Sequence, residues 1–467
     1  MTTLYAGAAR IRLEPPPGIA MAGYGARAGR AGGVHDDLCA QALVLSDGSH
    51  KAAICGVDLL AIGMRIADEI RATVAARSDL PADSILIGAT HTHSGPLFNI
   101  FATPRPDATA GADRSLEWER ALPQKIADAI LGANSRLEPV ALKAAGGRFT
   151  LGTNRRLRRP DGRIQLAANY TGVADAEAKG LGLYRRDGSP LSFVLNYPCH
   201  GVVLCEDNLL YSRDWMGFAI DEIEGASRRT SEGAQARRPI AIFLQGATGN
   251  IDPRYRGSFE VAAEHGAAMG RALLAGFAAA PSSDSAEIAA RRVPLRLKLK
   301  DFEAALGAAR DCAAQTEASL RSHRGDGFQL KRLRDHHEQS IAALRTLETL
   351  EEANRRDKRV DLARRELATS LSLITIGEIA FVGIPGEPFV EFGLALKANP
   401  YFAHTFVAGY CNDLIGYIPT REAYPYGGYE VETARIAEGA GEQIVAAALA
   451  AMRESRGIAR APETSRT

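Results

Sequence analysis

No stretch of the 467-residue chain approaches the run of about 18 apolar residues that a membrane-spanning helix needs. The N-terminal segment MTTLYAGAARIRLEPPPG has no basic stretch followed by an apolar core, so no secretory leader is expected. Charge of one sign is also missing. With 56 Lys and Arg against 55 Asp and Glu, the net charge is +1, and the arginines are scattered. That balance argues against nucleic acid or an anionic membrane as a partner. The six cysteines (39, 55, 199, 205, 312 and 411) lie far apart with no CxxC spacing, so buried free thiols are expected rather than a disulfide framework. Together these absences lead to the expectation of a cytoplasmic location.

What is present is ordinary globular composition, 46% hydrophobic and 24% charged. The first half alternates apolar runs (42–45, 51–58, 84–87, 192–197, 240–244) with helical periodicity at 64–77 and 116–134. This predicts an α/β fold with mixed sheets flanked by helices, and sites in loops beyond strand ends. From about Asp301 to Glu366 the chain is rich in Ala, Leu, Arg and Glu with a break at Gly325-Asp326-Gly327. A long helical hairpin inserted into the domain is expected there, with His323, His336 and His337 on its surface. Strands are expected again at 371–376 and 379–384, then a Tyr-rich loop region (410–430) and a helix over 440–453. No linker divides the chain, so residues 1–455 are read as one domain and 456–467 as a flexible tail.

The chemistry concentrates where strands end. In Ile87-Gly88-Ala89-Thr90-His91-Thr92-His93-Ser94-Gly95-Pro96, two histidines stand two apart after an apolar run. Residues two apart on a strand share a face, so both imidazoles could enter one cavity, or serve only as turn histidines. A mononuclear zinc site needs three or four ligands from His, Cys, Asp or Glu. Two later loops offer them, Asn196-Tyr197-Pro198-Cys199-His200-Gly201 and Ile384-Pro385-Gly386-Glu387-Pro388. A third, Leu414-Ile415-Gly416-Tyr417, offers a tyrosine, an uncommon but competent oxygen ligand when a metal lowers its pKa. Singly, His200 could be a core histidine, Glu387 a helix-terminal carboxylate and Tyr417 a packed aromatic. Asp58 and Asp214 are candidates to orient a ligand histidine. A TIM-barrel amidohydrolase also begins with HxH, but the histidines beyond His200 (265, 323, 336, 337, 404) lie in mostly helical patterns.

In combination the motifs resemble the neutral/alkaline non-lysosomal ceramidases and their bacterial relatives, zinc-dependent amidases with a large α/β catalytic domain. The likeness begins at Met21-Ala22-Gly23-Tyr24-Gly25 and Gly33-Val34-His35. It continues through ATHTHSGP, NYPCHG, PGEP and NDLIGYIPTREAY…GGYE in the family's order. The resemblance implies one Zn2+ held by His91, His200, Glu387 and Tyr417, with His93 beside the water and the substrate carbonyl. It further implies Arg155 (or its neighbour Arg156) and Tyr429 around the scissile amide. The expected reaction is hydrolysis of a C–N bond in an N-acyl amine or other small amide. A metal-dependent esterase or lactonase and a catalytically silent, metal-stabilised binding protein are the alternatives.

Two departures bear on substrate. Where the family carries Gly-Asp-x-Ser-Pro, this chain has Gly249-Asn250-Ile251-Asp252-Pro253. An ionised carboxylate at 252 accepts a hydrogen bond from an amine, ammonium or hydroxyl, or acts as a base, where serine would donate. Alternatively Asn250 and Asp252 form an Asx-type turn before Pro253. With a helix expected at 440–453, the β-sandwich domain of the secreted members is not expected after it. Both departures weigh against ceramide itself as substrate.

Overall fold

The computed structural model describes residues 3–99, 112–229, 238–284, 286–323 and 327–457. The expected tail at 456–467 lies almost wholly outside them. An eight-stranded sheet runs in the order Ile240–Gln245, Pro190–Tyr197, Glu177–Arg185, Glu138–Arg148, Tyr5–Arg12, Cys39–Ser46, Lys51–Val57, Ile85–Ala89. Most pairings are antiparallel, but Lys51–Val57 with Ile85–Ala89 and Pro190–Tyr197 with Ile240–Gln245 are parallel. A second sheet joins Ile288–Lys298, Glu366–Ile376, Ile379–Gly383 and His404–Ala408, with Val360–Asp361 beside Glu366–Ile376. The described residues form no (β/α)8 barrel.

The strands read as continuous apolar runs because both of their faces are covered. Ala42 and Val44 point with Ile85 and Ile87 toward the helices Met64–Arg77 and Ala112–Asn134. Leu43, Leu45, Ile54 and Leu86, on the opposite face, meet Ile374, Phe381 and Phe406 of the second sheet. Farther along, Phe193, Leu195 and Phe243 pack on Trp215, Ile220 and Leu273 of the helices Asp214–Arg229 and Phe259–Ala279. The outer face of the second sheet is covered by Val390–Lys397 and Ala440–Ser455. Helix, sheet, sheet and helix therefore form four layers.

Gly56 sets how closely one edge of the large sheet approaches the other. A Cβ there would lie 2.7 Å from Ile242 Cγ2 and 2.9 Å from the Phe243 carbonyl oxygen. Absence of a side chain thus brings the end of Ile240–Gln245 beside the ends of Lys51–Val57 and Ile85–Ala89.

The hairpin is present as Phe302–Ser322 and Gly327–Arg356, with a small core of its own built on Phe302, Leu306 and Leu347. It ends at Arg356, ten residues before the expected limit. Residues 357–365 instead form turns around the short strand Val360–Asp361, which pairs with Glu366–Ile376, so turn and strand pairing take the end of what composition assigns to helix. His337 is half-buried rather than on the surface, with Nδ1 3.1 Å from Thr316 Oγ1 across the hairpin. His323 is half-buried as well, and the His336 side chain lies outside the described residues. All six cysteines are free; Cys39, Cys55, Cys199 and Cys411 are buried. Among the described residues no helix is long and apolar enough to cross a membrane.

Candidate metal centre

Three parallel strand pairs end on the same side of the molecule, and their loops meet there. Ile85–Ala89 leads into Thr90, His91 and His93; Pro190–Tyr197 leads into His200; Ile240–Gln245 leads into Gly249 and Asn250. In the second sheet Ile379–Gly383 precedes Glu387, and His404–Ala408 precedes Tyr410. Loops beyond the carboxyl ends of parallel strands are where α/β folds place their ligand sites.

The histidine loops are stitched together through the backbone. Thr92 bridges Gly201, and the His93 amide donates to the Gly201 carbonyl at 3.1 Å. Gln245 Nε2 donates to the Thr90 carbonyl at 3.0 Å. His91 sits at φ 60°, a left-handed conformation that costs a non-glycine residue about 1–3 kcal/mol unless its surroundings impose it. They do so here, through a hydrogen bond from the His91 amide to Leu59 O at 3.0 Å and from its Nδ1 to Leu60 O at 2.7 Å.

Close packing makes Gly201 a sensitive position. A Cβ on it would stand 2.8 Å from the His91 carbonyl oxygen and 3.1 Å from Thr92 Cα, both backbone atoms. Gly201→Ala is therefore expected to destabilise the fold by about 1–3 kcal/mol, the usual cost of overpacking, read as a lower midpoint in urea. An unchanged midpoint would mean that the two loops can separate.

Nδ1 of His91 and Nδ1 of His200 each meet a backbone carbonyl, Leu60 O at 2.7 Å and Ile251 O at 2.9 Å. Each ring therefore carries its proton on Nδ1 and turns a free Nε2 lone pair inward. Both Nε2 atoms lie 3.7 Å from the same oxygen, Glu387 Oε2. His93 Nε2 stands 3.2 Å from His91 Nε2, and ring nitrogens of His91, His93 and His200, placed to hold a metal ion, all fall within 4.8 Å of one another. Burial drives the His91 pKa down to about 3 and that of His93 well below its ordinary value, so these rings are neutral at neutral pH.

This arrangement fits a metal ion. His200 Nε2 is buried without a hydrogen-bond partner, which costs about 1–3 kcal/mol for an atom that water could otherwise solvate. Neutral imidazole nitrogens beside a carboxylate oxygen are donor chemistry that zinc accepts.

Arg155 forms the next ring outward. Its Nε donates to Glu430 at 2.8 Å, Nη1 to Asp252 at 3.0 Å, and Nη2 to both Gly249 O at 2.9 Å and Tyr417 Oη at 3.1 Å. Four of its five N–H donors are engaged, leaving one on Nη1. Arg156, on the same strand, donates to the other Glu430 oxygen at 2.6 Å and to Gly427 O at 2.7 Å. It therefore supports the clamp rather than replacing Arg155. Tyr429 is half-exposed at the rim, its ring edge-on to Tyr417 at 5.6 Å.

Asp252 lies not in a turn but in the strand Ile251–Pro253, opposite Thr153. One carboxylate oxygen accepts from Arg155; the other accepts from Arg256. Burial opposes its ionisation, but the Arg155 and Arg256 guanidinium groups hold its carboxyl below the usual range. Asn250 faces away from the histidines. Its Oδ1 accepts from the Val390 amide at 2.8 Å and its Nδ2 donates to Glu391 at 2.9 Å, which ties this loop to the helix that follows Glu387.

Asp58 and Asp214 do not orient His91 or His200, because carbonyls already occupy both Nδ1 positions. Asp58 accepts from the Cys39 amide at 3.0 Å and from Gln41 at 3.2 Å. Asp214, at φ 54°, gathers the amides of Val203, Leu204 and Trp215 and shapes the loop that follows His200. Tyr410 and Glu430 escaped the sequence reading. Tyr410 stacks on His91 at 4.0 Å and donates to Glu387 Oε2 at 3.3 Å. Both residues fall within or beside the aromatic region 410–430, yet only their partners' positions reveal a role.

The four-layer fold is shared with known enzymes. A neutral ceramidase from Pseudomonas aeruginosa superposes with a TM-score of 0.70 at 18% identity, over 99% of this chain and 77% of that one. A ceramidase complexed with C2 gives 0.70 at 17%, over 100% of this chain and 78% of the other. Residues 14–282 match the family model for the N-terminal part of neutral/alkaline non-lysosomal ceramidases. That span includes His91, His93, Arg155, His200, Asn250 and Asp252, while Glu387, Tyr417 and Tyr429 lie beyond it. On that match, which takes in more than half of its length, the chain belongs to the neutral/alkaline non-lysosomal ceramidase family of amide-bond hydrolases.

Proposed function

We propose that this protein is a zinc-dependent amidase that hydrolyses the C–N bond of an N-acyl amine or other small amide. The observation that carries the reading is the convergence of His91 Nε2 and His200 Nε2 on one Glu387 oxygen, 3.7 Å from each, beside Arg155 and Tyr417. His91, His200, Glu387 and Tyr417 would hold the ion. When bound, zinc would polarise a carbonyl and lower the pKa of a coordinated water to about 7.

The chain's own groups supply the rest. His93, kept neutral by burial, has a lone pair with which to take a proton from water and return it to the leaving nitrogen. Water's oxygen forms the new C–O bond, the C–N bond breaks, and the proton ends on the amine. Arg155 fixes the Tyr417 oxygen and keeps one N–H for the developing oxyanion. Tyr429, at the rim, has a hydroxyl to offer the same oxygen. Tyr410 and Thr248, 2.5 Å apart, hold Glu387 in place.

The test is parallel turnover of N-acyl and O-acyl fluorogenic substrates by zinc-loaded wild type and His91→Ala, with metal analysis of both. Amide cleavage by wild type, lost together with metal in the variant, is the expected result. Cleavage of esters alone would change the bond assigned. Bound metal with no turnover of either class would make the protein a binding module.

Asp252→Ser sharpens the same reading. It is expected to shift preference among N-acyl substrates and leave metal content unchanged, since Asp252 touches arginines rather than the converging lone pairs. Loss of metal from that variant would make Asp252 a ligand.

A further inference from the structure

A cleft of about 440 Å3 opens beside the metal centre and shares two walls with it, Arg155 and Asp252. Both of these residues also reach inward, Arg155 to Tyr417 Oη at 3.1 Å and Asp252 to within 3.8 Å of His200 Nδ1. The cleft therefore continues the site rather than standing apart from it. Much of its lining is apolar, with Leu166 and Pro253 among the contributors. At its outer end stand Arg254 and Arg256, both exposed.

The charges there do not balance. Three guanidinium groups, those of Arg155, Arg254 and Arg256, share the lining with a single carboxylate, Asp252. That carboxylate is already divided between Arg155 and Arg256. Glu430 serves Arg155 from behind the wall, where it is 1% exposed. Arg254 is left without a carboxylate partner among the described residues. Its position is set instead by Nε–H donation to Thr153 Oγ1 at 3.4 Å and by the Tyr170 ring, 5.6 Å from its Cζ. Its two terminal nitrogens are thus held at the cleft without an anion to bind.

One short segment carries all three groups: Asp252 is in the strand Ile251–Pro253, paired with Thr153, and Arg254 and Arg256 are in the bend that follows it. Asp252 holds Arg256 against the cleft, which a neutral side chain would not do. The departure at position 252 and the two outer arginines therefore belong to one arrangement.

We propose that the cleft is a subsite for a carboxylate carried by the substrate, so that the amides this protein hydrolyses are N-acyl amino acids. Arg254, aided by Arg256, grips the carboxylate through paired charge-assisted hydrogen bonds, a geometry guanidinium groups favour. The apolar wall receives hydrocarbon next to it. The reaction is the one above, with the amine product being the amino acid. This inference rests on the amidase reading for the bond cleaved, but the carboxylate preference is measurable without turnover.

The probes are N-octanoylglycine and N-octanoylglycinamide, which differ only in charge at one end. Both are titrated calorimetrically into the zinc-loaded protein and assayed for turnover, with wild type, Arg254→Gln and Arg254→Lys. The acid is expected to bind about 10–100-fold more tightly than the amide, the range for charge-assisted hydrogen bonds. The ratio should shrink at least tenfold in Arg254→Gln, recover in part in Arg254→Lys, and decline as salt is raised. Equal affinity for the two probes, or a ratio unchanged in Arg254→Gln, overturns the subsite even if both are hydrolysed. A preference for the acid in binding, without hydrolysis of either, keeps the subsite and overturns the amidase reading alone.

Discussion

Glu387→Gln is expected to lose bound zinc and with it nearly all amide hydrolysis, while the protein stays folded. The substitution is isosteric, so the packing around Tyr410 survives, but the oxygen that faces both His91 Nε2 and His200 Nε2 at 3.7 Å loses its charge. Loss of a partner one shell out from a metal typically costs about 10–100-fold, and loss of a charged ligand should exceed that. Metal analysis provides the first readout. Thermal unfolding provides the second, since a ligand bound only by the folded state raises stability by RT ln(1 + [L]/Kd). Zinc should raise the midpoint of wild type and do so much less for Glu387→Gln. A variant with full metal content and an unchanged zinc-dependent shift would exclude Glu387 from the ligand set.

The second large effect concerns stability. Glu430 is almost fully buried and accepts from Arg155 at 2.8 Å and from Arg156 at 2.6 Å. Glu430→Leu removes the carboxylate and leaves two buried guanidinium groups facing an apolar side chain. Breaking a buried ion pair from one side costs about 3–5 kcal/mol, because the remaining charge keeps its desolvation penalty. The measurement is the urea midpoint of metal-free protein, so that zinc linkage does not mask the change. The same variant, loaded with zinc, should retain metal yet turn over more slowly, since Arg155 would no longer be aimed at Tyr417. A midpoint within experimental error of wild type would mean that Asp252 and the backbone carbonyls suffice to hold both arginines.

Much of the fold is legible along the chain. Apolar runs such as Ala42 to Leu45 become strands covered on both faces, and the periodic segment 64–77 becomes the helix Met64–Arg77 with the same limits. The hairpin is legible as composition but not in its length. Residues 357–365 leave the helix for turns and the short strand Val360–Asp361, which pairs with Glu366–Ile376, itself paired with Ile288–Lys298 far earlier in the chain. Local propensity carries no record of those partners. At the site, His91, His93 and His200 are brought within 4.8 Å of one another, and Arg155 to within 3.1 Å of Tyr417. Asn250, by contrast, spends its amide on Val390 and Glu391, and Asp252 is held between two arginines. Neither arrangement follows from the turn-like look of Gly249-Asn250-Ile251-Asp252-Pro253.

By itself the sequence determined the supply of chemistry: imidazoles, a carboxylate and phenols placed just beyond apolar runs, which the alternation of side chains along strands turns into loops at one end of a sheet. Only the tertiary structure decided which atoms face one another. Leu60 and Ile251 carbonyls set the histidine tautomers, Tyr410 stacks on His91, and Glu430 reaches Arg155 across 275 positions of chain. It also decided that Arg254 meets the cleft with no carboxylate of its own among the described residues. The physical reason is range. Side-chain chemistry and strand period are local properties, whereas a hydrogen bond requires placement within about 3 Å. Such placement arises only after distant strands have packed.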